Sequence, residues 1–242
     1  VAGSAAVLAA VVVLALLGGR PAPRAAPGPA REEEVHLPSG CTSERPRRDA
    51  RPLPRRAPHL VLEAGRDYRA VVHTSCGDIS IDLLEGRAPR NVANFVGLAR
   101  RGFYDGLTWH RVEADVVVQS GDPNGRNLAP PDGPPYEVPD EIAGVRGRDY
   151  VYGVVGMANA GPDTAGSQFF IVVHDHDGAL ERDPEPAGLQ PDYTIFGRVD
   201  RSSWPALERL ASVPVRGGLD LVKAVEPVIP VYIESIDVGG SR

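Results

Sequence analysis

From Arg69 onward the chain breaks into short β-rich runs punctuated by glycine, proline and aspartate clusters, and this rhythm constrains the fold more than any other feature. Arg69–Thr74 and Ile79–Leu83 flank the turn residues Ser75-Cys76-Gly77-Asp78 and read as a hairpin. Further runs recur at Thr108–Val112, Val116–Gln119, Gly153–Ala158, Gln168–Val173, Tyr193–Val199 and Val231–Val238. Only two segments carry helical periodicity. In the first, Val92, Phe95, Val96 and Ala99 recur at helical spacing between Pro89 and Gly102, residues that suit a helix start and stop. The second covers Ser203–Ala211, with Ser202 or Ser203 as its cap. Many short strands with turn-rich spacers predict an all-β antiparallel sandwich or barrel carrying two helices.

Before this part the chain has a different character. Val1–Gly19 holds no charge and as a helix spans roughly 28 Å, just enough for a membrane crossing. It is expected to be an apolar N-terminal helix, serving as an uncleaved transmembrane anchor, a cleaved signal segment or a buried helix. Arg20, Arg24 and Arg31 after the run would hold that flank in the cytoplasm by the positive-inside rule, whereas a basic flank upstream would reverse the orientation. Residues 20–67 are rich in Pro and Arg and poor in large apolar side chains, so they are expected to form a disordered, semi-stiff linker. The first 60 residues carry nine basic and five acidic side chains, and the remainder 17 and 27, so the domain expected over 68–242 is acidic. That charge, together with 6% aromatic residues, excludes a basic or stacking nucleic-acid groove. Two cysteines exclude a disulfide-dense scaffold or a Cys-rich zinc module. Cys41 and Cys76 either pair, if the domain lies outside the cytoplasm, or remain two free thiols.

Three segments carry the chemistry: Trp109-His-Arg-Val112 followed by Val116–Pro123, then Met157–Ile171 (MANAGPDTAGSQFFI), then Asp192–Val199 (DYTIFGRV). In this order and spacing they resemble the cyclophilin family of peptidyl-prolyl isomerases, and the similarity extends over residues 69–238. The apolar start and Pro-rich tether look like those of exported, membrane-tethered actinobacterial members. The resemblance implies a closed eight-stranded antiparallel barrel capped by two helices, an isomerase activity that needs no cofactor or metal, and proline-containing polypeptides as clients. It also implies roles for individual residues. Arg111 is the catalytic cation, and Gln119 orients it and touches substrate. Phe170 and Leu189 line the proline pocket, with Val116 and Val117 on its wall. The backbone of Ala158 and Asn159 binds the residues before the proline, and Tyr193 stands near the rim.

Physically, the reaction needs no nucleophile. The barrier to peptide rotation is about 18–20 kcal/mol of amide resonance, and X–Pro bonds exchange over tens to hundreds of seconds. Twisting the bond makes the prolyl nitrogen an acceptor, and a fixed cationic donor stabilises that state more than either ground state. Arginine, permanently charged and with several donors, suits the role. His110 beside it is expected to be a packed structural histidine, because no proton moves.

Departures from the family pattern set further expectations. Val116 stands where a phenylalanine is usual, which makes the pocket wider or shallower. Glu113 stands where an apolar residue is usual; pointing to solvent is expected, and pairing with Arg111 is the alternative. Asp175–Gly188 replaces the region of a frequent tryptophan, so weak cyclosporin sensitivity is expected. The sequence thus predicts a monomeric isomerase, membrane-anchored with an extracytoplasmic domain or secreted, that speeds folding of exported clients. A non-catalytic proline-peptide-binding chaperone or scaffold on the same fold is the alternative.

Overall fold

The computed structural model describes residues 35–47, 54–58, 60–63, 65–125, 134–174, 189–219 and 224–241. The expected anchor, the tether before Val35 and the Asp175–Gly188 segment lie outside the described residues. Eight strands follow in chain order: β1 (Asp67–Thr74), β2 (Gly77–Leu83), β3 (Arg111–Glu113), β4 (Val117–Ser120), β5 (Val154–Met157), β6 (Phe169–Val172), β7 (Ile195–Val199) and β8 (Ile233–Ser241). Helix α1 (Pro89–Ala99) follows β2, and α2 (Trp204–Ala211) follows β7. All neighbouring strands pair antiparallel, in the order β3-β4-β6-β5-β7-β2-β1-β8.

The sheet curls, but its edge strands β3 and β8 form no ladder with each other. Instead of the continuous closure expected of a barrel, a single bridge joins Thr108 to Tyr232. Backbone bonds from Trp109 N to Val231 O (3.0 Å) and from Ile233 N to Leu107 O (2.8 Å) continue this seam. This antiparallel seam joins the residues just before β3 to those just before β8, so β3 (Arg111–Glu113) and β8 (Ile233–Ser241) run away from each other on either side of it, and the chain leaves β3 by a turn at Ala114–Asp115. Asp115 takes φ +59°, a left-handed conformation that a short polar side chain tolerates.

Alternation along each strand sends its side chains to two separate apolar clusters. Val112, Val118, Val155, Met157, Phe169, Ile171 and Phe196 face the main core. There the Phe95 ring of α1 meets Tyr104, Phe169 and Phe196 at 5.1–5.5 Å between centroids. Val117, Val154, Phe170, Val172 and Ile195 face the opposite way, into a smaller cluster on the outer surface. Both faces are therefore covered, which is why the central strands read as nearly continuous apolar runs rather than alternating ones.

The helix ends show how tertiary contacts supply what local sequence lacks. Ala88 at the α1 N-cap has no side chain able to accept a hydrogen bond. The Glu141 carboxylate takes that role, accepting from Arg90 N, Asn91 N and Asn91 Nδ2 at 2.9–3.1 Å. Gly102, expected at the helix end, has φ +65° and donates its N–H to Ala99 O. Ser203 occupies the α2 N-cap position, yet its hydroxyl accepts from Ser80 N (3.0 Å) and fastens the helix to β2.

The domain boundary expected near Tyr68 moves upstream, to a compact unit that begins at Val35. Leu37, Cys41, Leu60 and Leu62 pack against the core, and Pro58 stacks so closely on Gly97 that an added Cβ there would come within 2.2 Å of its ring. Cys41 and Cys76 form a disulfide across 35 positions. Thr42 N donates to Ser75 O (2.8 Å), and the Arg209 guanidinium donates to Cys76 O (3.0 Å). The described residues of the expected linker inside this unit are held in place because a covalent tie and a few apolar contacts offset the entropy that its composition alone could not.

Candidate active site

Antiparallel register brings three of the sequence-predicted residues, Arg111, Gln119 and Phe170, into one row. Arg111 pairs with Gln119, Gln119 with Phe170, Phe170 with Gly156, and Gly156 with Ile195, so the row crosses five strands. Arg111 and Glu113 flank Val112, which points into the main core, so both charged side chains share the opposite face with Phe170. Arg111 Nη1 donates to Gln119 Oε1 at 3.0 Å. Gln119 Nε2 donates to Gln168 Oε1 at 2.8 Å, and Gln168 Nε2 to the buried Asp122 carboxylate at 2.9 Å. This relay fixes which amide atom Gln119 presents to the guanidinium: its nitrogen is engaged by Gln168, which leaves its oxygen for Arg111.

The apolar part of the site lies one strand further in. Phe170 sits on Gly156 so tightly that an added Cβ would meet the ring at 2.4 Å. Tyr193 packs edge-on against the Phe170 ring at 5.4 Å. Tyr150 fixes Tyr193 from behind: its hydroxyl donates to Tyr193 O (2.7 Å) and accepts from Tyr193 N (3.1 Å). Burial pushes the Tyr150 phenol up to about 12, so it stays protonated for that task. Val116, Leu189 and Tyr193 are half-buried and pack against the outer apolar cluster to which Phe170 and Val117 belong. Phe170 itself is only 3% exposed, so the floor of the notch is nearly closed and its reachable surface is the half-buried rim.

Just past the end of β5, Ala158 donates its N–H to Gln168 O (2.9 Å). Asn159 Nδ2 holds Asp192 O at 2.8 Å and ties the Tyr193 loop to the strand end. Buried His110 is held at about 4, first by desolvation and then by the Arg111 charge, and is therefore neutral at pH 7. It acts as the structural histidine expected from the sequence. Among the described residues no cluster of three or more His, Cys, Asp or Glu could hold a metal.

Glu113 departs from the solvent-facing expectation. Its carboxylate pairs with Arg111 Nη2, so the guanidinium is shared between Gln119 on one side and a counter-charge on the other. The alternation was legible, since residues two apart on a strand share a face, but the pairing depended on how far each side chain leans. Three further participants were missed as site residues: Gly156 under the ring, Tyr150 behind Tyr193, and Asp122 at the end of the relay. A glycine inside an apolar run signals close approach and could have been found; the other two carry no local signal. A surface concavity of about 980 Å³, bounded by Arg69, Asp82 and Asp237, contains no residue of this row.

This geometry agrees with what the chain is similar to. The model of the cyclophilin type peptidyl-prolyl cis-trans isomerase family matches residues 69–238. The chain belongs to that family. Peptidyl-prolyl cis-trans isomerase A of Mycobacterium tuberculosis is 37% identical over 185 residues, 70% of this chain and 91% of that protein. A putative bifunctional phosphatase/peptidyl-prolyl cis-trans isomerase of Streptococcus pyogenes is 34% identical over 203 residues, 75% of this chain but only 41% of that protein. A crystal structure of a Cryptosporidium parvum cyclophilin type isomerase superposes with a TM-score of 0.59 at 24% identity, covering 73% of this chain and 99% of the other.

Proposed function

We propose that this cyclophilin accelerates X–Pro rotation in exported or surface protein clients, with Arg111 stabilising the twisted amide while the proline ring rests on the rim of Val116, Leu189 and Tyr193 above Phe170 and Val117. The observation that carries this reading is the single register row Arg111–Gln119–Phe170–Gly156. It sets a guanidinium held by Gln119 beside an apolar notch, the pair of features the reaction needs. A charged hydrogen bond contributes about 1.5–3 kcal/mol, whereas an acceleration on the order of 10⁵ needs about 7 kcal/mol. Ring burial, exclusion of water and oriented donors supply the rest. The Ala158 carbonyl and Asn159 receive the residues before the proline. Neutral His110 takes no part in proton transfer, in keeping with a reaction that moves none.

The Cys41–Cys76 bridge supports an extracytoplasmic site of action, since disulfides persist in oxidising compartments. With the charge-free Val1–Gly19 segment, it favours a membrane-anchored or secreted monomer that needs no cofactor. The Arg111–Glu113 pair and the nearly closed Phe170 floor favour the second reading, a proline-peptide-binding chaperone or scaffold. Exchange NMR of a proline peptide separates the two. Isomerisation by wild type that Arg111→Ala cuts at least tenfold supports catalysis; bound peptide with no acceleration supports the binder; equal rates from both proteins overturn the role of Arg111.

A further inference from the structure

We infer that Glu113 makes this isomerase selective for clients carrying arginine or lysine within the two residues after the proline. The inference rests on the isomerase reading of the site and adds its substrate class. The placement comes from the strand rows. Ala158 lies two residues beyond Gly156 on one side of the Arg111–Gln119–Phe170–Gly156 row. On the other side lies the row in which Glu113 pairs with Val117 and Val117 with Val172. Ala158 and Glu113 therefore stand diagonally opposite each other across Phe170. A peptide whose residues before the proline lie on Ala158 and Asn159, with its ring over Phe170, runs on toward Glu113. From Phe170 to Glu113 the path is two strands across and two residues along, roughly 12 Å at sheet spacings. An extended chain advances about 3.3 Å per residue, so a long basic side chain one or two residues after the proline covers that span.

The electrostatics give this contact a consequence for rate. Glu113 is 36% exposed and Arg111 31%, so the pair lies open to an incoming charge. A cationic side chain offers the carboxylate a second partner and loosens its hold on the guanidinium donors. The client then recruits Arg111 at the moment it binds. An acidic residue at the same place meets Glu113 as a like charge and leaves Arg111 tied. Among the described residues the outward-facing side of the Glu113 row is otherwise apolar, with Val117 and Val172. Discrimination should be roughly two- to fivefold in kcat/KM in each direction, the range that half-exposed ion pairs support, and salt should weaken it.

The test uses the full chain and three matched peptides with Arg, Gln or Glu at both positions after a single Ala-Pro bond, followed by exchange NMR at low salt and at about 0.5 M NaCl. The expected order is Arg above Gln above Glu, compressed by salt, and flattened or inverted in Glu113→Gln. Glu113→Gln is isosteric at a half-exposed position, and its melting temperature checks that folding is intact. Equal wild-type rates on the three peptides overturn the inference and leave the isomerase intact. An Arg preference that survives in Glu113→Gln assigns selectivity to another group and also overturns it. Acceleration of none of the peptides removes both the inference and the isomerase reading beneath it.

Discussion

Placing a methyl group at Gly156 tests the packing that holds the site together. The backbone there lies outside the left-handed region, so alanine meets no conformational penalty and the effect is purely steric. An added Cβ would lie 2.4 Å from Phe170 Cζ, 2.9 Å from Cε1 and 3.0 Å from Cε2. Ordinary carbon contacts begin near 3.5 Å, so the ring must lift or tilt by about 1 Å. It lifts toward Tyr193, whose ring centroid is 5.4 Å away and whose backbone is pinned at both ends by Tyr150. Overpacking of this kind costs about 1–3 kcal/mol. A displacement near 1 Å at a substrate-positioning group can lower the rate by as much as about 100-fold. Gly156→Ala should therefore lower the urea midpoint and cut kcat/KM for a proline peptide by at least tenfold, while the far-UV circular dichroism spectrum is kept. A variant with unchanged stability and unchanged turnover would refute the idea that Phe170 rests on Gly156 and that its height sets the groove.

Other consequences can be checked separately. Loss of the Cys41–Cys76 bridge in Cys41→Ser/Cys76→Ser opens a loop of 35 positions and should lower unfolding free energy by about 3–4 kcal/mol in urea melts. Glu141→Ala leaves the first N–H groups of α1 without their acceptor and should cost about 1–2 kcal/mol in the same assay, with little change for Glu137→Ala as a surface control. His73 lies between Asp78 (2.8 Å) and Asp237 (3.3 Å); burial works against its charge, but the two carboxylates outweigh it and hold its pKa above the ordinary value. Its contribution is thus complete below about pH 6.5 and fades as pH rises through the higher folded-state value. After solvent screening it amounts to at most about 0.5 kcal/mol, and His73→Gln should abolish that part of the pH dependence of melting.

Much of this protein was legible before folding. Turn chemistry at Ser75–Asp78 and the period of Val92, Phe95, Val96 and Ala99 depend only on local geometry, and they placed the hairpin and α1 nearly where they stand. Arg111, Gln119 and Phe170 were picked out by the resemblance of their motifs to the cyclophilin family, not by any local signal. The boundary at Tyr68 was misplaced, because the sequence left Cys41 and Cys76 as either paired or free, and only the folded structure sets the Cys41 segment against the first hairpin. Glu113 was half legible: strand alternation put it on the face of Arg111, but its partner depended on side-chain lean. Local periodicity and turn chemistry by themselves determined which residues are strand and helix, since each of those signals arises within a few residues. Register, seam closure and ion pairing were decided only by the tertiary structure, because each joins groups tens of positions apart or balances a charge against neighbours that only the folded sheet supplies.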